Sequence, residues 1–329
     1  MFLSTKTILK NLLKAKNSLI QLKTYLKLLD LDYASKEVKR ILAKLKEESP
    51  TIRGIFSYLP KEGTSLPYHV YSKFQGPHWL LAILADVGYP PGDDDLQPSI
   101  TLEMNWLLDK KRWKRKPMIE GRKRFCASQE GVGLFAALSL GFIDQRCHLL
   151  AERLIQFQWE DGGWNCDKKP KAKNSSYHES LWPLRALNKY YQNFKTERTR
   201  ATIKKAIELF LKRELFKSLH TGEVIDSKWL LLSYPSYWHY NVLSALKVLA
   251  ECNAINDKRC EAALTLLEEK RLPDGGFPKE LRYCQTASPT KRYYSPADWQ
   301  AVNKKKANPW VTIDALFVLK KAKKITINY

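Results

Sequence analysis

Apolar positions along the chain recur at steps of three and four, and alternating β-branched runs bounded by turn residues are almost absent, so the pattern predicts helix from end to end. Two kinds of helix alternate. The first is short and apolar most of the way round, beginning near His78, Gln129, His178, His239 and Pro309. The second is longer, charged and amphipathic, over Glu37–Glu48, Leu96–Lys110, Gln145–Trp159, Arg198–Phe216 and Asp257–Lys270. A helix that is apolar all round needs neighbours on several sides, whereas an amphipathic one needs a core on one side only. The simplest packing wraps an inner ring of apolar helices in an outer ring of amphipathic ones. The expected fold is therefore all-α: one α/α toroid over residues 35–329, with the inner helices starting at one rim. Residues 1–34, with Lys6, Lys10, Lys14, Lys16, Lys23 and Lys27, read as a basic amphipathic helical extension.

Composition narrows the class. Of 329 residues 44% are apolar, enough for a packed core and too many for a disordered or fibrous chain. Lysines interrupt every long apolar run, which excludes a membrane-spanning helix of ~18 residues or more. Met1 to Lys10 lacks the apolar stretch and small-residue cleavage site of a secretory signal, so the expected location is cytoplasmic, with a membrane-peripheral one left open by the basic surface. Six cysteines without a CxxC pair are too sparse for a disulfide framework and read as reduced thiols.

Charge adds a possible partner. The chain carries 56 Lys+Arg against 34 Asp+Glu, a formal net charge of +22, with a dense block from Lys110 to Arg124 opposed only by Glu120. Three readings stand side by side: a nucleic acid, an anionic membrane or small anionic substrate, and a solvated lysine-rich surface. The block contains one aromatic, Trp113, and so lacks the stacking series of a single-strand binder.

Two segments repeat at equivalent places. Gln156-Phe157-Gln158-Trp159-Glu160-Asp161-Gly162-Gly163-Trp164 and Leu272-Pro273-Asp274-Gly275-Gly276-Phe277 each follow an amphipathic helix. In an Asp-Gly-Gly-aromatic turn the glycines supply positive φ and the aromatic returns to pack on the helix. Here the chain resembles the terpenoid cyclase and protein prenyltransferase superfamily, whose repeats end in a similar Gln-rich, Gly-x-Trp motif. Cys126-Ala127-Ser128-Gln129-Glu130-Gly131, Trp164-Asn165-Cys166-Asp167, Ser175-Ser176-Tyr177-His178-Glu179-Ser180, Thr221-Gly222-Glu223-Val224 and Trp238-His239-Tyr240 resemble a bacterial group described as squalene cyclase-like or prenyltransferase-like. The resemblance implies a toroid and an enzyme acting on an isoprenoid or other apolar substrate, with or without a diphosphate, in the toroid cavity. The chain departs from both parent reactions. Asp93-Asp94-Asp95 has Gly92 where a cyclase Asp-x-Asp-Asp motif begins, and it reads as a turn that caps the next helix. The Asp-x-Cys pair of the protein prenyltransferases is absent.

A toroid would gather the junctions before the inner helices at one mouth. Cys126, Cys166 and His178 are then a candidate zinc set with a fourth position open, against the alternative of small buried cysteines. Candidate catalytic residues are Glu130, Asp167, His178 and His239. Candidate substrate contacts are His78, Trp79, Trp164 and Trp238 for an apolar or cationic group and Arg122 and Arg124 for phosphate. Glu179 fits a capping box with Ser176. The rival class is a non-catalytic basic toroid that binds nucleic acid or another polyanion.

Overall fold

A computed structural model of the chain describes residues 5–64 and 66–327. In chain order its helices are α1 Thr5–Leu13, α2 Ser18–Leu28, α3 Lys36–Leu42, α4 Leu45–Glu48, α5 Pro50–Phe56, α6 Pro77–Val87, α7 Gln97–Leu108, α8 Lys110–Lys114, α9 Ala127–Ser139, α10 Gln145–Gln156, α11 Tyr177–Phe194, α12 Glu197–Leu211, α13 Val242–Glu251, α14 Glu261–Glu269 and α15 Pro309–Lys321. Among the described residues, strand is confined to two short antiparallel pairs: β1 Met118–Ile119 with β2 Arg122–Lys123, and β3 Pro278–Lys279 with β4 Asn303–Ala307. The chain is thus mostly helical, as the hydrophobic periodicity requires.

The five apolar helices form within three residues of their expected starts, as α6, α9, α11, α13 and α15. Proline at the first turn starts α6 and α15, where a missing N–H is harmless. Asn241 and Ser244 close a reciprocal cap on α13. Of the amphipathic helices, Glu37–Glu48 divides into α3 and α4 at Ala43 and Lys44, where the turn tightens and Leu45 swings into the core.

Packing follows a cyclic order. α2 lies against α6, α6 against α9, α9 against α11, α11 against α13, α13 against α15, and α15 against α2. Around these six, α1 covers α2, α7 covers α6 and α9, α10 covers α9 and α11, α12 covers α11, and α14 covers α13. The sixth member, α2, belongs to the segment expected as an extension. Its Leu19, Leu22 and Leu28 are buried, and it packs on α3 across the expected boundary at residue 34. Residues 1–4 of that segment lie outside the described residues.

Two glycines set distances that matter later. At Gly131 in α9, a Cβ would stand 2.6 Å from the backbone nitrogen of Pro183 in α11, so the two helices approach as closely as they do because this residue has no side chain. Gly162 sits at φ +100° with a would-be Cβ 2.2 Å from the Lys205 carbonyl oxygen, and the following Trp164 is fully buried, donating its Nε1–H to the Leu154 carbonyl at 3.0 Å.

The interior of the six-helix cycle carries a network of charges. Asp86 of α6 meets Lys23 of α2 (3.2 Å), Lys247 of α13 (2.6 Å) and Arg185 of α11 (2.8 Å). Asp314 of α15 meets Lys23 (2.7 Å) and Lys247 (3.0 Å), and Arg185 forks onto Glu251 through two bonds of 2.7 Å. Burial alone would raise the Asp86 and Glu251 carboxyls. The surrounding cations outweigh it, holding Asp86 well below the usual carboxylate range and Glu251 at about 2.

Candidate functional site

Cys126 is the N-cap of α9, Cys166 lies in the loop before α11, and Glu179 sits in the first turn of α11. The close contact of α9 and α11 brings the three together: one ligand atom from each, two sulfurs and a carboxylate oxygen, all lie within 4.8 Å of one another. The Cys166 thiol donates to Glu179 Oε1 at 3.4 Å, and the Ser128 backbone N–H donates to Oε2 at 3.0 Å. Both cysteines are free thiols and partly exposed. The expected capping box does not form, because the Glu179 carboxylate is used here and Ser176 makes no side-chain cap bond.

The thiols are unequal. A hydrogen bond from Cys166, with help from the charges of Lys116 and Arg112, pulls the Cys126 thiol below its ordinary pKa. The partner Cys166 is pushed up by Cys126, by burial and by Glu179. Burial raises the Glu179 carboxyl despite its hydrogen bonds. Glu130, one turn into α9, is more deeply enclosed; burial pushes it up to about 7 although Arg153 Nη1 bonds its Oε1 at 2.9 Å, and Oε2 finds no partner. Tyr71 adjoins the cluster, its hydroxyl pushed up to about 12 by burial, with the nearby Cys126, Glu179 and Cys166 adding to the shift.

His178 is not part of this cluster. Its Nδ1 accepts the Tyr240 backbone N–H at 2.9 Å, its ring packs against Trp238 and Trp229, and burial lowers its pKa. Adjacent residues on a helix point about 100° apart, so with His178 turned to Tyr240 it is Glu179 that faces Cys166. Asp167 is exposed and accepts the Lys169 backbone N–H in a turn. His239 stacks on Tyr283 (3.5 Å between ring centroids) and Trp238 (4.1 Å), and burial lowers it to about 4. His78 is fully buried, with Nδ1 2.8 Å from Glu103 Oε1, and Trp164 is a packing residue. Arg124 is buried, its guanidinium 4.5 Å from the Trp159 ring centroid, and the Arg122 guanidinium lies 5.7 Å from the same ring. Asp93 caps the turn after α6 by accepting from Asp95 N–H, as expected of a turn aspartate.

Beside the cluster, a cavity opens between α6, α11 and α13. Trp79, Ile83, Leu181, Trp182, Trp238 and His239 are among its walls, and Asp86, Arg185, Lys247 and Asp314 form its charged side. Its volume, counted as the space open to the centre of a water molecule, is about 70 Å³. Tyr71 adjoins both places, since its ring lies 5.0 Å from that of Trp79, tilted at 54° to it. Sequence reasoning singled out Cys126, Cys166, Trp79 and Trp238, but missed Tyr71, which lies in no motif, and gave Glu179 a capping role because Ser176-x-x-Glu179 fits that pattern.

Comparison of the chain with protein-family profiles, with curated proteins and with solved structures finds no match.

Proposed function

We propose that the cyclically packed helices are the inner ring of an α/α toroid, and that the chain is an enzyme of terpenoid cyclase or prenyltransferase type in which Cys126, Cys166 and Glu179 hold a zinc ion beside an apolar cavity. One observation carries this reading: two thiols and a carboxylate from separate segments converge within 4.8 Å at the N-terminal ends of two packed helices. The donor set suits zinc, because ligand atoms ~2.0–2.3 Å from a tetrahedral centre lie ~3.3–3.8 Å apart, inside the observed spread. Three protein ligands leave a fourth position open. Zinc held there would supply Lewis acidity and keep a bound thiol or water deprotonated near neutrality.

The protein's own groups define the rest. The Glu130 carboxyl, at about 7, is poised to hold or release a proton near neutral pH. Trp79, Trp182 and Trp238 exclude water from the cavity and offer π faces to a cationic or unsaturated group. The narrow lumen favours a short isoprenoid-like unit over a folded polyene: its open space is about half of the ~150 Å³ that holds a benzene ring, so entry requires the Ser233–His239 wall to give way.

Elemental analysis of protein purified without chelator tests the proposal. About one zinc per chain is expected in wild type and His178→Ala, and little in Cys166→Ser and Glu179→Ala. Metal-free wild type, or loss of metal on His178→Ala alone, overturns the ligand set. Mass spectrometry of small molecules retained by the protein identifies the substrate class, with an apolar isoprenoid expected.

A further inference from the structure

The block from Lys110 to Arg124 does not stand alone. The loop from Lys168 to Lys173, remote in sequence and carrying four more lysines, folds against it: Arg124 Nη1 donates to the Ala172 carbonyl at 2.7 Å. Trp159 braces the hairpin side, giving its Nε1–H to the Lys123 carbonyl (3.3 Å) while both Arg122 and Arg124 lie over its ring. The two stretches hold thirteen cations, with Glu120 as the single carboxylate inside either. The flanking Asp109 and Asp167 are spent on turn N–H groups of Arg112 and Lys169. Among the described residues none of the thirteen makes an ion pair, whereas the interior cations Lys23, Arg185 and Lys247 are each paired twice.

Arg124 gives a second and independent observation. It is 1% exposed, yet its Nε and Nη2 find no acceptor in the protein. A buried guanidinium with two unused donors is costly, and this one lies against the lysine loop, where an anion's oxygen would supply the acceptor.

We propose that this composite face, the β1–β2 hairpin with α8 and the Lys168–Lys173 loop, binds the phosphate backbone of a nucleic acid. A single diphosphate, with about three negative charges, leaves most of these cations unpaired, whereas a polymer matches a spread of this size. A lipid surface calls for apolar anchors among the cations, and of the large apolar side chains between Lys110 and Arg124 or Lys168 and Lys173 only Met118 is exposed. Aromatic stacking is minor here, because Trp113 and Trp159 are already covered by Lys123, Arg122 and Arg124. Recognition is therefore of backbone charge, insensitive to base sequence. The proposal does not depend on the metal.

Fluorescence anisotropy with a labelled single strand of about 20 nucleotides, and with a duplex of the same length, tests it at ~50 and ~200 mM salt. Binding should weaken steeply with salt. Replacing Lys168, Lys169, Lys171 and Lys173 by Gln should lower affinity about tenfold or more and flatten the salt dependence, because phosphate contacts set that slope. The same change at Lys304, Lys305 and Lys306 on β4 should alter affinity less than about twofold, and chelator treatment should leave it unchanged. The lysine loop is exposed, so these variants are expected to keep the wild-type melting temperature. The proposal is overturned if no complex forms at the lower salt, if the β4 variant loses as much as the loop variant, or if the protein binds phosphatidylserine vesicles and the oligonucleotide fails to compete.

Discussion

One helical step decides which residue joins the two cysteines. His178 and Glu179 are neighbours in sequence, but His178 is held by the Tyr240 N–H while Glu179 reaches Cys166 and the Ser128 N–H. Zinc loading should therefore protect Cys126 and Cys166 together from iodoacetamide, with the fully buried Cys147 and Cys260 slow in either state; protection of only one thiol would break the proposed set. Glu130 gives a pH test. Its folded pKa of about 7 lies above the ordinary ~4.3, so the fold favours the protonated carboxyl. The stability this contributes is complete below the unfolded value and is lost as pH rises through about 7, an effect of up to about 4 kcal/mol. Wild type is thus expected to melt at lower temperature at pH 8 than at pH 5.5, and Glu130→Gln should remove most of that difference; parallel profiles would show that this carboxyl does not titrate there. Sequence could nominate the thiols, because each opens or precedes an apolar helix. It could not choose between adjacent side chains, since that depends on helix rotation fixed by distant contacts.

At the scale of elements, the distance between α9 and α11 is what assembles the site, and Gly131 sets it. Gly131→Ala should push the helices apart and lower metal content although residue 131 touches no metal, while Gly133→Ala, whose new Cβ meets the Leu107 and Glu103 side chains instead, should act mainly on stability. Metal content that follows Gly133 and ignores Gly131 would refute this. Gly162→Ala combines a positive φ with a backbone clash and is expected to destabilise by several kcal/mol in urea unfolding. The alternation of apolar and amphipathic helices was legible because burial on several sides and burial on one side leave different patterns. The short α8 and the small strands were not, since two- to five-residue elements are fixed by tertiary contacts rather than periodicity.

For the molecule as a whole, the least legible feature was the place of α2. Its lysines mimic a solvated basic helix, yet Lys23 is fully buried between Asp86 and Asp314. Lys23→Ala removes one partner from a buried network and should cost about 3–5 kcal/mol, whereas Lys44→Ala, from an exposed pair, should be close to neutral in the same denaturation assay; equal small effects would mean that α2 is dispensable. The network also shapes traffic. Arg185 borders both the cavity among the tryptophans and a second hollow near Lys27 and Glu251 at the other ends of the same helices, so the ion pairs form a partition between them. The tryptophan-lined side and the hollow near Lys27 are then two separate recesses that share Arg185 as a common wall. Under the proposed function, a molecule admitted past Trp238 would meet this charged wall rather than a passage to the far hollow, so release of a product on the side of entry would compete with the next arrival.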